Sequence, residues 1–240
     1  MSIMLNVNKS NHILFQTSNC KVLPNINLKL RGKIVKKVSS AKFLGVTINE
    51  HLSWKAHMES VMQKIRINLG AVKKISCLLN QKSLMMLYDS LIKSHLSYCI
   101  SSWCFGNKTL IQKIQCSVNK FIRLIFGLHY KSSVKNIMKE NNIMSLVQLQ
   151  HIETTCYMHQ YLNNQLPNAL MCKFDKIVPK RKETRTRSKS SIFPKYCRLN
   201  ITKQSFKYKG PLAWNDLPNS LKTTQNFKMF RKELKKIMLL

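Results

Sequence analysis

Acidic residues are scarce in this chain: Asp and Glu number 9 among 240 residues, against 41 Lys and Arg, for a formal charge of +32. That scarcity excludes a good deal of chemistry. No Asp-Asp or Asp-x-Asp pair occurs, and Asp89, Asp175 and Asp216 stand alone, so no neighbouring carboxylates are ready to hold a divalent ion. A G-x-x-x-x-G-K-[ST] phosphate loop and a G-x-S-x-G nucleophile turn are also missing. The eight cysteines (Cys20, Cys77, Cys99, Cys104, Cys116, Cys156, Cys172, Cys197) include no C-x-x-C pair. Most sit in apolar, helix-like contexts, which predicts reduced core thiols; a zinc site on Cys99 and Cys104 lacks a matching second pair. No run reaches the ~18 apolar residues of a membrane span. Met1-Ser2-Ile3-Met4-Leu5 lacks the charged lead and cleavage site of a leader. The expectation is an intracellular protein, nuclear or cytoplasmic, with neither a membrane nor a small molecule as partner.

What is present is apolar content and positive charge. Hydrophobic residues make up 44% of the chain, enough for one sizeable core or two small ones. Basic residues run from Lys9 to Lys236 and are not gathered on one terminal amphipathic helix. That spread fits a long polymer with many phosphates better than a membrane surface, so nucleic acid is the expected partner.

Periodicity predicts an α+β chain, predominantly α: a short antiparallel β segment at the N-terminus, a helical thumb-like bundle, then a basic C-terminal region. Strands are expected over 11–16, 26–30, 33–38 and 42–48, with Arg31-Gly32 as a hairpin turn. From Ser53, expected as an N-cap, Met58, Val61, Met62, Ile65, Leu69, Val72, Ile75 and Leu79 recur at helical spacing. Asn80 should cap a second helix that fades near Trp103, and a third from about Lys108 should stop at Gly127. Ser145 and Gln148 form a capping-box pattern for a helix ending before Pro167, with Leu146, Leu149, Ile152, Cys156 and Leu162 turned inward. Residues 173–189 are basic and apolar-poor, which predicts a linker or phosphate-gripping arm. A last amphipathic helix carries Phe227, Phe230, Leu234 and Ile237. The implied regions are 1–50, 51–130, 131–172 and 173–240.

Five short motifs, in order, carry a resemblance. Leu5-Asn6-Val7-Asn8-Lys9-Ser10 precedes His12-Ile13-Leu14-Phe15, and Lys42-Phe43-Leu44-Gly45-Val46-Thr47-Ile48 precedes Leu52-Ser53-Trp54. Then come Leu87-Tyr88-Asp89-Ser90-Leu91-Ile92 with His95-Leu96-Ser97-Tyr98-Cys99, and Thr186-Arg187-Ser188. Last is Gly210-Pro211 with Trp214-Asn215-Asp216-Leu217-Pro218. Together they resemble the C-terminal part of the reverse transcriptase of non-LTR (LINE/jockey-like) retrotransposons.

The resemblance implies a palm-edge β segment (1–50), a thumb-like helical region (51–130), connecting helices (131–172), and a basic arm with a C-terminal element (173–240). It also implies RNA and DNA, as template and primer, for partners. The family's magnesium-binding aspartates would lie before Met1. The chain is therefore expected to be a non-catalytic remnant without a cofactor, Mg2+ belonging to the full-length enzyme alone.

By resemblance, Lys9 matches a palm lysine near the incoming triphosphate, and Phe43, Leu44 and Gly45 match a primer-gripping turn. A solvated surface lysine and an ordinary buried strand are the plainer readings of these two. Lys55, Lys64, Arg66, Lys73 and Lys74 flank the first helix's apolar stripe, where they suit either phosphate contact or a solvated face. Arg181, Arg185 and Arg187 are the candidates in the basic arm. His51 with His57, and His151 with His159, lack ligand spacing, and Trp103 and Trp214 suit core packing better than base stacking. Competing readings are an active enzyme once its other half is supplied, an independent basic RNA-binding protein, and a decayed element copy.

Overall fold

The computed structural model describes residues 6–17, 26–175, 192, 194 and 196–239. The chain is a predominantly helical α+β protein whose N-terminal strands are short and mostly wet. These are β1 (Asn11–His12), β2 (Lys29–Leu30), β3 (Lys33–Ile34), β4 (Lys36–Lys37), β5 (Ser40–Phe43) and β6 (Val46–Asn49). β2 pairs with β3 and β5 with β6 in antiparallel fashion, whereas β1 lies parallel to β4 with Asn11 beside Lys36. Arg31-Gly32 is the expected hairpin turn, both residues at positive φ (49° and 76°). Of the described residues before 50, only Val46 is buried, while Ile26, Leu28 and Ile34 stay exposed.

Two corrections fall in this region. The strands expected over 11–16 and 33–38 shrink to two-residue pairs. The single strand expected over 42–48 is a hairpin, because Leu44 and Gly45 take φ of 44° and 86° and reverse the chain.

Helices then build the core. α1 (Lys55–Ile75) buries Met58, Val61, Ile65 and Val72 on one stripe. Ser53 does not cap it: its hydroxyl and amide are engaged by the Asn49 side chain, and Trp54 enters the helix in the left-handed region at φ 58°. α2 (Gln81–Tyr88) begins as expected, the Asn80 side chain accepting from the Ser83 amide at 2.8 Å. The helix expected to run on toward Trp103 is broken. A π-helical turn (Asp89–Lys93) leads to α3 (Ser94–Ser97), and Cys99, at φ 51°, separates that from α4 (Ile100–Trp103).

α5 (Lys108–Ile125) closes on Gly127, at φ 60°, with the Leu128 amide returning to the Arg123 carbonyl. After α6 (Lys135–Glu140) comes α7 (Leu146–Leu162), which opens with the expected Ser145–Gln148 capping box. α7 serves two cores. Leu146 and Leu149 complete the cluster built by α1 to α6, and Ile152, Cys156, Met158 and Tyr161 belong to a second one with the C-terminal helices. Leu162, expected inside, is exposed.

α8 (Asn168–Asp175) is followed by the basic arm, most of which lies outside the described residues. Next come α9 (Asn200–Lys203), α10 (Phe206–Asn215), α11 (Asn219–Lys222) and α12 (Phe227–Leu239). α10 continues through Pro211, and Gly210 explains its close approach to α7. A Cβ on Gly210 would meet Met158 Sδ at 2.8 Å. Phe230 and Leu234 of α12 are fully buried, while Ile237 lies on the exposed side. Trp103 and Trp214 are core residues, Trp103 donating its indole N–H to the Tyr98 carbonyl.

Candidate nucleic-acid interface

The β5–β6 hairpin carries the most distinctive local geometry among the sequence-derived candidates. Its two-residue loop, Leu44-Gly45, has positive φ at both positions, the turn that matches the right-handed twist of paired strands. Glycine supplies the second of these at little cost. Phe43 and Leu44 project at 64% and 76% exposure, which rules out the buried-strand reading of this segment. An exposed apolar tip on a tight turn can lie against a base or sugar face, and a phenyl ring can stack on a base.

The tip is held from the helical side. Tyr98 donates its hydroxyl to the Leu44 carbonyl, and its ring lies under Gly45, where an added Cβ would come 3.3 Å from Tyr98 Cε1. Behind the hairpin, the Thr47 amide donates to His57 Nδ1 at 3.3 Å, and His57 meets Trp103 edge-on at 5.6 Å between ring centroids. Burial, then the nearby charge of Lys64, holds His57 below its ordinary pKa; the same two causes lower His95. At about 100° per residue, Lys64 falls within ~20° of His57 on α1. Phe43, Leu44 and Gly45 form the tip, and Tyr98, from the same sequence motif as His95, joins them. Those two stood in the resemblance motif His95-Leu96-Ser97-Tyr98-Cys99, yet nothing local revealed that Tyr98 reaches back to residue 44.

The other basic residues of α1 do not share the side of Lys64. At about 100° per residue, Lys55, Arg66 and Lys73 fall within ~20° of one another, Lys64 is nearly opposite, and Lys74 lies ~100° away. All five are exposed. Glu59 shares the face of Lys55 and Arg66. Lys9 is exposed on a single 3-10 turn (Val7–Lys9). Arg181, Arg185 and Arg187 lie outside the described residues.

Carboxylates are too few to neutralise this surface. The ion pairs made by Lys or Arg include Lys93–Asp89 at 2.8 Å, Lys236–Glu233 at 2.9 Å and Arg231–Glu153. Among the described residues, no three His, Cys, Asp or Glu side chains converge in a group able to hold a metal ion. Cys104 and Cys156 are buried, and burial pushes their thiols up to about 12 and about 11, which makes them inert core groups. No helix of the described residues is long and apolar enough to cross a membrane.

In sequence, the chain is similar to a mobile-element polymerase. The chain is 24% identical over 197 residues to the RNA-directed DNA polymerase from mobile element jockey of Drosophila melanogaster. The match takes in 80% of this chain and 21% of that protein, so the chain spans about a fifth of its relative's length. No protein-family model matches the chain, and no solved structure matches it.

Proposed function

We propose that this chain is a non-catalytic part of a non-LTR retrotransposon reverse transcriptase, from the region after the catalytic carboxylates, and that it binds template and primer. In this reading residues 1–50 are the palm edge, 51–130 a thumb-like helical region, 131–172 connecting helices and 173–240 a basic arm and C-terminal element. The observation that carries it is the braced hairpin tip: Phe43 and Leu44 are exposed on a turn that Tyr98 fixes. Phe43 and Leu44 meet the end of the nucleic acid. Lys64 and the Lys55, Arg66 and Lys73 face grip phosphates without reading sequence.

Exposed Ile26, Leu28 and Ile34 on the short N-terminal strands fit a sheet fragment whose companions belong to the rest of a palm. Open strand edges of this kind favour self-association or low solubility of the isolated chain.

The test is binding of the purified chain to an RNA–DNA hybrid with a recessed primer end and to a blunt hybrid, across a salt series. Preference for the recessed end, lost in Phe43→Ser/Leu44→Ser, supports the reading; equal binding of both ends, or a response flat in salt, defeats it. The chain alone should incorporate no nucleotide with Mg2+ present. A second reading rests on the 21% coverage of the relative: the same residues serve an active polymerase when its remaining length is supplied.

A further inference from the structure

The hairpin and α1 leave the C-terminal helix without a role. α12 buries Phe230 and Leu234 against α7, with Phe227 half-buried beside them. On the opposite side, at about 100° per residue, Lys228, Lys232 and Lys235 fall within ~60° of one another. All three are exposed.

None of the three has an ion-pair partner among the described residues. Glu233, the only carboxylate of the helix, is taken by Lys236, and Arg231 is taken by Glu153 of α7. Their helical neighbours add repulsion. Lys228 stands four residues before Lys232 and three before Arg231; Lys232 stands four before Lys236; Arg231 stands four before Lys235. Each like-charge pair at such spacing costs a few tenths of a kcal/mol, and a solvated helix face normally sets carboxylates there instead. Lys228 also lies in the first turn, where the helix dipole disfavours a cation. The isolated helix thus carries a repulsion that a polyanion would relieve.

The stripe leads to a cleft. Lys235 is one wall of a cavity of about 270 Å³, with Tyr88 at the end of α2, Asp89 and Lys93 of the π-helical turn, Asn141, and Glu153 among the others. Asp89 pairs with Lys93 and Glu153 with Arg231, so Lys235 supplies the cavity's uncompensated charge. Cavities of about 300 Å³ mark the lower end of small-molecule sites, so this one has room for no more than a nucleotide.

We propose that Lys228, Lys232 and Lys235 form a second phosphate-binding stripe, along which one strand of nucleic acid runs with its phosphodiesters on the lysines and one nucleotide at the cleft mouth. The stripe spans ~10 Å of helix, about two or three phosphates of a single backbone. It does not require the hairpin surface to bind.

The test measures binding of the full chain to a labelled single-stranded oligouridylate and to an RNA duplex over a salt series. For Lys228→Gln/Lys232→Gln/Lys235→Gln, the slope of log affinity against log salt on the single strand should shrink by about 2, at roughly 0.7 for each phosphate no longer neutralised. The corresponding triple Arg variant should keep the wild-type slope. Lys232→Glu separates binding from folding: it exchanges three like-charge pairs, with Lys228, Lys235 and Lys236, for three attractive ones, so it should raise the thermal midpoint while weakening binding. An unchanged slope in the Gln variant, equal loss in the Arg variant, or a slope change confined to the duplex overturns the proposal. So does wild-type binding to phosphatidylserine vesicles with no binding to RNA. Failure of the hairpin reading looks different: the recessed-end preference is absent while the single-strand slope still responds to the α12 variants.

Discussion

The Tyr98 hydroxyl donates to the Leu44 carbonyl at 2.5 Å, joining residues 54 positions apart in sequence. That bond ties the tip of a hairpin with few other anchors to the helical core, since Tyr98 also presents its carbonyl to the buried Trp103. Tyr98→Phe removes the bond and keeps the ring beneath Gly45. The expected cost is about 1 kcal/mol, the net contribution of one such hydrogen bond, felt locally. Amide exchange across 43–47 should quicken severalfold with the global thermal midpoint nearly unchanged, and recessed-primer preference should weaken with it. Unaltered exchange in the hairpin would show that the brace does not hold it.

The α1 cations divide by angle, and so should their effects. Lys55→Gln/Arg66→Gln/Lys73→Gln removes one face and should shrink the salt slope on a hybrid duplex by about 2 to 3, near 0.9 for each phosphate neutralised on a duplex. Lys74→Gln, a quarter turn away, should change it by less than one. Equal loss per residue at all positions would mean that net charge, rather than a face, drives binding.

The parts of this fold legible in sequence are those set by chemistry within a few residues. Asn80 caps α2, Gly127 ends α5, and the Ser145–Gln148 box opens α7, because each needs only its own neighbours. The illegible parts depend on distant partners. Ser53 has the chemistry of a cap but is taken by Asn49, so Trp54 begins α1 without a side-chain cap. The π-helical turn carries no residue signature that separates it from α2. The candidate site behaves the same way: residues 42–48 read as one strand, the turn at Leu44-Gly45 comes only from the resemblance, and Tyr98 becomes a site residue only when the helices pack it under that turn. Lys228, Lys232 and Lys235 were open to the helical-wheel argument used for α1, but their lack of partners shows only once Glu153 and Glu233 are seen engaged elsewhere.

Gly210 sets how closely α10 approaches α7. Its would-be Cβ lies 2.8 Å from Met158 Sδ and 3.3 Å from both Met158 Cγ and Phe206 Cε1, and Met158 is fully buried. Gly210→Ala should therefore cost about 1 to 3 kcal/mol through overpacking, despite the higher helix propensity of alanine. Met158→Ala in the same chain should recover part of that loss by making room, leaving the double variant less destabilised than the two single costs added. A stabilised Gly210→Ala protein would contradict the close approach.

Acid should loosen the hairpin from α1 through His57. Its ring is 5% exposed, and burial, then Lys64, places its folded-state pKa below the unfolded value of about 6.5. Between those two values the unfolded chain binds more protons, so stability rises with pH. It is fully present above about 6.5 and declines as pH falls below that toward the folded value. His95 and His151, also lowered, contribute with the same sign. The local consequence belongs to His57 alone. Its Nδ1 accepts from the Thr47 amide, and a protonated ring has no lone pair to offer there. Exchange of the Thr47 amide, corrected for intrinsic rates, should accelerate from pH 7.5 to 5.5, and denaturant midpoints should fall over the same interval. In His57→Gln the pH dependence at Thr47 should flatten, leaving a shallower midpoint slope from the other two histidines. If Thr47 exchange tracks pH equally in wild type and variant, the imidazole is not the element that titrates the hairpin's hold on α1.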